Sequence, residues 1–295
     1  MKSAIHIHLA RSAGFCFGVR RAIRLAQTLA AGRRPVCMLG DLVHNETVIR
    51  ELEAAGIRKI RRLGRDNNST LLIRAHGASR DLITRARRCG YRIADATCPM
   101  VREIHRIVRR RDRRGDRIIV IGDRRHDEVQ GIIGQIRRQA LVIDAPDHIP
   151  VKAIRGIRRA TIVVQSTQNL DRVRTLVTAL KAVIPRVAFY NTICNNTRMK
   201  QEEIKVLPLR NDLMIVIGSR TSANTRRLYE IARELNPRTH WIQGAEEIDA
   251  RWLKRAHSVG ITAGASTPES TTRAVITRIR KIAPGHAKTH STSAK

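Results

Sequence analysis

The chain has 295 residues, enough to bury a large core and to hold two or three compact units. A hydrophobic share of 42% suits a soluble globular protein. No stretch approaches the roughly 18 unbroken apolar residues of a membrane helix, which argues against a membrane protein. The formal net charge of +32 is spread almost evenly along the sequence, and only three Phe, two Trp and three Tyr accompany it. A nucleic-acid site would concentrate charge on one face and interleave stacking rings, so nucleic acid is not the expected partner. The charge reads as solvated surface that attracts anionic substrates or acidic proteins.

In chain order, Ile5, Ile7 and Leu9 alternate with His6 and His8 at the period of a strand, without the apolar run of a signal peptide, so a cytoplasmic protein is expected. Val19, Ala22, Ile23, Ala26, Leu29 and Ala30 recur at helical spacing and end at Gly32. Short β-branched runs over residues 35–40, 70–75, 91–96, 117–122, 160–165, 186–193, 212–218 and 258–262 read as further strands alternating with helices. Alternation of this kind predicts an α/β chain built mainly on parallel sheet. The run 109–114, arginine except for Asp112, reads as an exposed helix end and is the best candidate for a local basic patch. Residues 227–235 form another helical run, and the polar segment 284–295 reads as a frayed tail.

Cys16, Cys98 and Cys194 each fall between a strand and the following helix and divide the chain into rough thirds. A helix start favours the thiolate, the metal-ligating form. There is no Cys-x-x-Cys pair, so ferredoxin-like and zinc-ribbon sites are not indicated. Three isolated thiolates can instead hold a 4Fe-4S cluster by three irons and leave the fourth open. Cys37, mid-strand, and Cys89 read as small buried hydrophobes. Six other strand ends run into polar turns at residues 41–45, 76–79, 126–128, 165–169, 219–224 and 263–266. Ligands of open parallel sheets bind beyond the carboxyl ends of the strands, so these turns are where a site is expected. Each third supplies one cysteine strand and two polar strand ends, which predicts three similar α/β units.

Seven segments then carry a resemblance, in order. They are Ala13-Gly14-Phe15-Cys16-Phe17-Gly18-Val19, Val43-His44-Asn45, Ala75-His76-Gly77, Asp95-Ala96-Thr97-Cys98-Pro99, the His126/Glu128-Val129 turn, Thr192-Ile193-Cys194 and Thr262-Ala263-Gly264-Ala265-Ser266. Over residues 12–282 the chain resembles the IspH (LytB) family. The resemblance implies a trefoil of three α/β domains around one 4Fe-4S cluster held by Cys16, Cys98 and Cys194. It implies the domains 17–98, 99–194 and 1–16 with 195–282, followed by a flexible tail 283–295. It also implies the reaction: two electrons and two protons convert 4-hydroxy-3-methylbut-2-enyl diphosphate into isopentenyl and dimethylallyl diphosphates plus water, with reduced ferredoxin or flavodoxin as electron donor. By the same likeness Glu128 is the proton donor, and Ser166 or Thr167 holds the substrate hydroxyl. His44, His76, His126, Ser222, Ala223, Asn224 and Ser266 match positions that bind the substrate. Ser222 and Asn224 also precede a helical run, where N-capping is their structural role. The chemistry is consistent, because hydroxide leaves readily only if it is protonated as it departs.

Departures from the family pattern bear on these expectations. Gly122-Asp123-Arg124-Arg125-His126-Asp127-Glu128 stands where the family reads Gly-His-x-x-His-Pro-Glu, placing two cations and two acids beside Glu128 and predicting an altered pKa there. Ser222-Ala223-Asn224 replaces Ser-Ser-Asn and removes a hydroxyl, and residues 195–200 after Cys194 are also unusual. Three competing readings follow. The first is a diverged cluster-bearing paralogue with an altered substrate, the second a redox or iron-sensing cluster protein, and the third a basic nucleic-acid-associated protein on the same fold.

Overall fold

A computed structural model describes residues 5–66, 68–145, 149–283 and 288–291. They form two compact units, one of residues 5–16, 44–46 and 195 onward, the other of residues 17–43 and 47–194.

The first unit is built on one sheet. Its strands are β1 (His6–Leu9), β10 (Leu213–Ile217), β11 (Thr239–Ile242), β12 (Ser258–Ala263) and β13 (Lys288–Ser291), all parallel in the order β11-β10-β12-β1-β13. Strand β10, Leu-Met-Ile-Val-Ile, is buried throughout because helices cover both faces, as parallel crossovers require. Leu213, Ile215 and Ile217 meet Val275 and Ile279 of α10 (Glu269–Ile282). On the other face Met214 and Val216 pack on Ile204 of α8 (Asn195–Val206) and Leu228 and Ile231 of α9 (Ala223–Leu235). Of the expected tail, only 288–291 is described, and it pairs with β1.

The second unit contains two sheets. One has β2 (Val36–Leu39), β3 (Arg58–Ile60), β4 (Thr70–Ile73) and β5 (Arg92–Asp95) in the parallel order β3-β2-β4-β5. The other has β6 (Arg117–Ile121), β7 (Leu141–Ile143), β8 (Arg159–Val164) and β9 (Arg186–Phe189) in the parallel order β7-β6-β8-β9. In the latter, α7 (Leu170–Val183) covers Ile119, Ile121, Ile162 and Val164. Helices α4 (Pro99–Arg113) and α5 (Asp127–Ile133) cover Ile118, Val120 and Val163 on the opposite face. Helices α1 (Phe17–Ala30), α2 (Glu46–Ala54) and α3 (Arg80–Arg88) are the connections around β2 to β5.

The three sheets repeat one order: an outer strand, two inner strands, then the strand that leads to a cysteine. The outer strands β3 and β7 escape the sequence pattern because they have only three residues, and β11 because Thr-His-Trp-Ile is no apolar run; β3 (Arg-Lys-Ile) carries the charge with which edges avoid further pairing. The run 186–193 also ends early as a strand, at Phe189. There Thr192 Oγ1 accepts from Val164 N at 2.8 Å and donates to Val164 O at 2.5 Å, so a side chain replaces the backbone ladder.

The arginine run after Ile107 is the last turn of α4, but it is not simply a solvated face. Arg111 Nε lies 2.7 Å from the Asp116 carboxylate, which Arg159 Nε approaches to 2.5 Å and Thr161 Oγ1 bonds at 2.7 Å. Asp116 is 2% exposed, so removing its charge leaves the largely buried Arg111 guanidinium without its counter-charge, while the half-exposed Arg159 keeps its water. We expect Asp116→Asn to cost about 3 kcal/mol, read as a lower denaturant midpoint in equilibrium unfolding.

Candidate active site

The polar turns at the carboxyl ends of the strands occupy equivalent places on the three sheets. Each cysteine follows the fourth strand, and its N–H donates to the loop beyond the adjacent inner strand. The bonds are Cys16 N to Ala265 O at 3.0 Å, Cys98 N to Ala75 O at 2.9 Å and Cys194 N to Ser166 O at 3.1 Å. Each cysteine then opens a helix, α1, α4 or α8, with Cys98 in the N-cap position of α4 before Pro99. All three are partly exposed, and none is in a disulfide.

The remaining cysteines are unsuited to ligation for separate reasons. Cys37 is fully buried in β2, its Sγ directed at Thr70 O, and burial pushes its thiol up to about 11. Cys89 is half-buried rather than buried as expected. It is the C-cap of α3, at a helix end rather than a helix start and away from the polar strand-end turns. The donor chemistry of Cys16, Cys98 and Cys194 therefore fits an iron–sulfur group.

In the second unit, the turn after β6 begins α5. His126 is the N-cap, its Nδ1 accepting from Glu128 N at 3.1 Å, so this histidine has a structural bond besides any ligand role. Its ring meets that of His76 edge to face at 5.5 Å. Glu128 is 1% exposed, where a turn carboxylate would ordinarily be solvated. Ser166 N donates to Glu128 Oε1 at 2.6 Å and Ser166 Oγ to Oε2 at 2.8 Å. Desolvation pushes the Glu128 carboxyl up to about 7; the two Ser166 bonds oppose the rise, and nearby Asp123 adds to it. Of the two extra acids in this turn, Asp127 is instead paired with Arg74.

Three groups around this turn had no assigned role in the sequence. Gln165, fully buried, accepts from Asp123 N at 2.8 Å and donates to Thr167 Oγ1 at 3.1 Å. Gln168 Nε2 bonds Gln165 Oε1 at 3.1 Å. Both lie in the polar turn after β8, which was the available signal. His105 is buried under the His76 turn, and burial holds its imidazole down to about 4, hence neutral at physiological pH. Gly77, at φ +82°, makes that approach possible, since a Cβ there would lie 2.7 Å from His105 Cε1.

In the first unit, Ser222 is the N-cap of α9 and its Oγ accepts from Thr225 N at 3.3 Å. Ala223 and Asn224 are the first two residues of the helix rather than a preceding turn. Both are buried. The Asn224 amide nitrogen is also buried and meets no acceptor among the described residues, as a donor awaiting an anion would. A Cβ on Gly264 would come within 2.1 Å of Thr225 Oγ1, so glycine lets the turn after β12 close on this helix start. Ser266 Oγ donates to His44 O at 2.8 Å, tying two further expected binding residues together.

Three parallel sheets, each presenting a cysteine at a helix start beside polar turns, define an α/β protein with three thiols suited to metal ligation. The comparisons are specific. Residues 7–280 match the LytB protein family, and the chain belongs to that family. It is 36% identical over 278 residues to 4-hydroxy-3-methylbut-2-enyl diphosphate reductase of Geobacter metallireducens, covering 94% of this chain and 98% of that protein. It is also 36% identical over 285 residues to the reductase of the same name from Aquifex aeolicus, with 95% and 98% covered. A solved structure of (E)-4-hydroxy-3-methyl-but-2-enyl diphosphate reductase, the terminal enzyme of the non-mevalonate pathway, aligns with a TM-score of 0.70 at 36% identity, over 94% of this chain and 99% of that one. The Plasmodium falciparum E-1-hydroxy-2-methyl-but-2-enyl-4-diphosphate reductase aligns with a TM-score of 0.88 at 25% identity, over 99% and 93%.

The Glu128 environment gives a stability prediction with a definite sign. A carboxyl whose folded pKa of about 7 exceeds its ordinary 4.5 keeps its proton in the fold longer than in the unfolded chain. Its contribution is thus complete below pH 4.5 and is lost as pH rises through 7. Glu128→Gln keeps the shape and cannot ionise, so its stability should decline less than wild type across that window, by on the order of 3 kcal/mol at most. Denaturant titrations at pH 4.5, 6 and 8 on both proteins check this; parallel profiles would show that Glu128 does not titrate in the window.

Proposed function

We infer that this chain is an iron–sulfur oxidoreductase that reduces 4-hydroxy-3-methylbut-2-enyl diphosphate at its allylic C–O bond, giving isopentenyl and dimethylallyl diphosphates and water. The observation that carries the chemistry is Glu128, a buried carboxyl held by Ser166 with its pKa near neutrality, as a general acid requires. The cofactor is one 4Fe-4S cluster bound through Cys16, Cys98 and Cys194, and each of the three sheets with its helices forms a domain: 1–16 with 195–282, 17–98 and 99–194. When bound, the cluster supplies the electrons and an open Lewis-acidic iron. Reduced ferredoxin or flavodoxin serves as the electron source, an acidic partner for a strongly cationic surface.

The chain's own residues bind, orient and move protons. Asn224 offers its buried amide N–H to the diphosphate, alongside the backbone N–H groups at the start of α9 that Ser222 caps. Ser266, whose one O–H is given to His44 O, holds the His44 loop in place, and His44 adds a ring donor to the same anion. His76 and His126 act likewise in the other unit. Ala223 puts a methyl group where the family pattern has a hydroxyl, so the diphosphate is held with one donor fewer. Thr167, fixed by Gln165, and Ser166 hold the substrate hydroxyl. Protonated Glu128 donates to Ser166 Oγ, whose own proton passes to the substrate oxygen as the C–O bond breaks, so the oxygen leaves as water. Two electrons and a second proton complete the allylic carbon skeleton, and the charges balance.

Two measurements test this reading. Anaerobic purification with iron and sulfide analysis should find the cluster greatly depleted in Cys16→Ser, Cys98→Ser and Cys194→Ser but retained in Cys37→Ser and Cys89→Ser. Equal metal in all five rejects the ligand assignment. Glu128→Gln should keep wild-type iron and lose about 10²- to 10⁴-fold in turnover of the hydroxylated diphosphate with a chemical reductant. Near-normal turnover would move the proton donor elsewhere.

A further inference from the structure

The unusual segment after Cys194 ends in a lysine that the proposed chemistry does not use. Lys200, on α8, is 1% exposed and is among the largest fully buried side chains of the protein. Its Nζ donates to Ser12 O and, at 2.9 Å, to Ala263 O. One turn further along α8, Glu203 accepts from Arg11 N and Ser12 N, both at 3.0 Å, and from Ser12 Oγ. Residues three apart share a helix face, so one face of α8 grips the loop that runs from Ser12 to Cys16.

The same ammonium reaches the other loop of the site. Ala263 ends β12 and also accepts from Gly14 N at 3.4 Å, while Ala265 O receives Cys16 N. Lys200 therefore joins the Cys16 loop and the turn carrying Ser266 at their bases, from below. Burying an ammonium costs several kcal/mol unless charge-assisted bonds offset it, and methionine would fill similar volume without that cost. The charge must do what packing alone does not. Two carbonyl oxygens aimed at one cation hold the loops at a fixed separation, and they place a positive charge at the base of the loop that carries Cys16.

We propose that Lys200 is a positioning residue of the reductase site: its buried ammonium sets Cys16 against Ser266 and provides the cationic background for cluster and diphosphate, with Glu203 anchoring the outer end of the Cys16 loop. This rests on the reductase reading above. A fixed cation favours reduction of a nearby cluster, so this charge at the base of the Cys16 loop would raise the reduction potential of a cluster held there.

Lys200→Met, Lys200→Arg and Glu203→Gln test the proposal in metal-free and anaerobically reconstituted protein. In the metal-free state, Lys200→Met should accelerate amide hydrogen exchange in peptides spanning 11–16 and 263–266 together, whereas Glu203→Gln should accelerate the first only. In the reconstituted state, Lys200→Met should make the cluster's midpoint potential more negative and raise KM for the diphosphate about tenfold, because the turn carrying Ser266 is no longer held in place, with kcat changed less. Lys200→Arg should recover most of both. A Lys200→Met protein that is merely less stable, with wild-type exchange in both peptides and wild-type potential and KM, overturns the proposal. If Lys200→Met does not fold, Glu203→Gln decides: acceleration confined to 11–16 supports the clamp, and no acceleration, or acceleration in both peptides, overturns it. Wild-type protein without iron or turnover would instead reject the reductase reading, while the metal-free exchange results would still judge the clamp.

Discussion

One backbone hydrogen bond, made three times, underlies this protein: each cysteine N–H donates to a carbonyl just beyond the neighbouring inner strand. It fixes where a thiol leaves the sheet and where the next helix starts, and both depend on strands running parallel so that their carboxyl ends lie side by side. A parallel sheet must be covered on both faces, and the crossover helices that cover it begin at those same ends. Buried strands such as Leu-Met-Ile-Val-Ile in β10 thus serve the site indirectly, by holding the polar turns at one end of the sheet.

Those turns are used differently on each sheet. The first inner strand leads to His44 in one repeat, to His126 and Glu128 in the next, and to Ser222 and Asn224 in the third; the second leads to His76, to Ser166 and Thr167, and to Ser266. The same strand order with different side chains separates the tasks. One repeat makes a carboxyl hard to ionise by burying it, and another leaves an amide donor without an acceptor. Both arrangements are unfavourable for folding alone, which is how binding and catalytic groups differ from core.

The large positive charge has a divided role. Several arginines are spent locally on exposed helix pairs, such as Arg106 with Glu103 and Arg273 with Glu269, which add little stability. Arg111 and Arg159 instead meet at the buried Asp116 and hold the amino-terminal ends of β6 and β8. The remaining excess acts as a field that draws anions to the surface and fades beyond roughly 8 Å at physiological salt.

The sequence by itself determined the inner strands, the parallel α/β class and the placing of three cysteines at helix starts, because apolar runs and strand-end turns are local patterns. It also singled out Glu128, Ser166 and the histidines, through motifs that recur in order. It could not show β3 and β7, whose three residues are too short to register a period, β11, whose Thr-His-Trp-Ile is no apolar run, nor the end of β9, where the Thr192 hydroxyl takes over the ladder. Only tertiary structure decided that Glu128 is buried, that Cys89 caps a helix and that Lys200 reaches Ser12 and Ala263, residues far from it in sequence. Burial and long-range hydrogen bonds depend on which surfaces meet when the chain closes, and no local run of residues encodes that meeting.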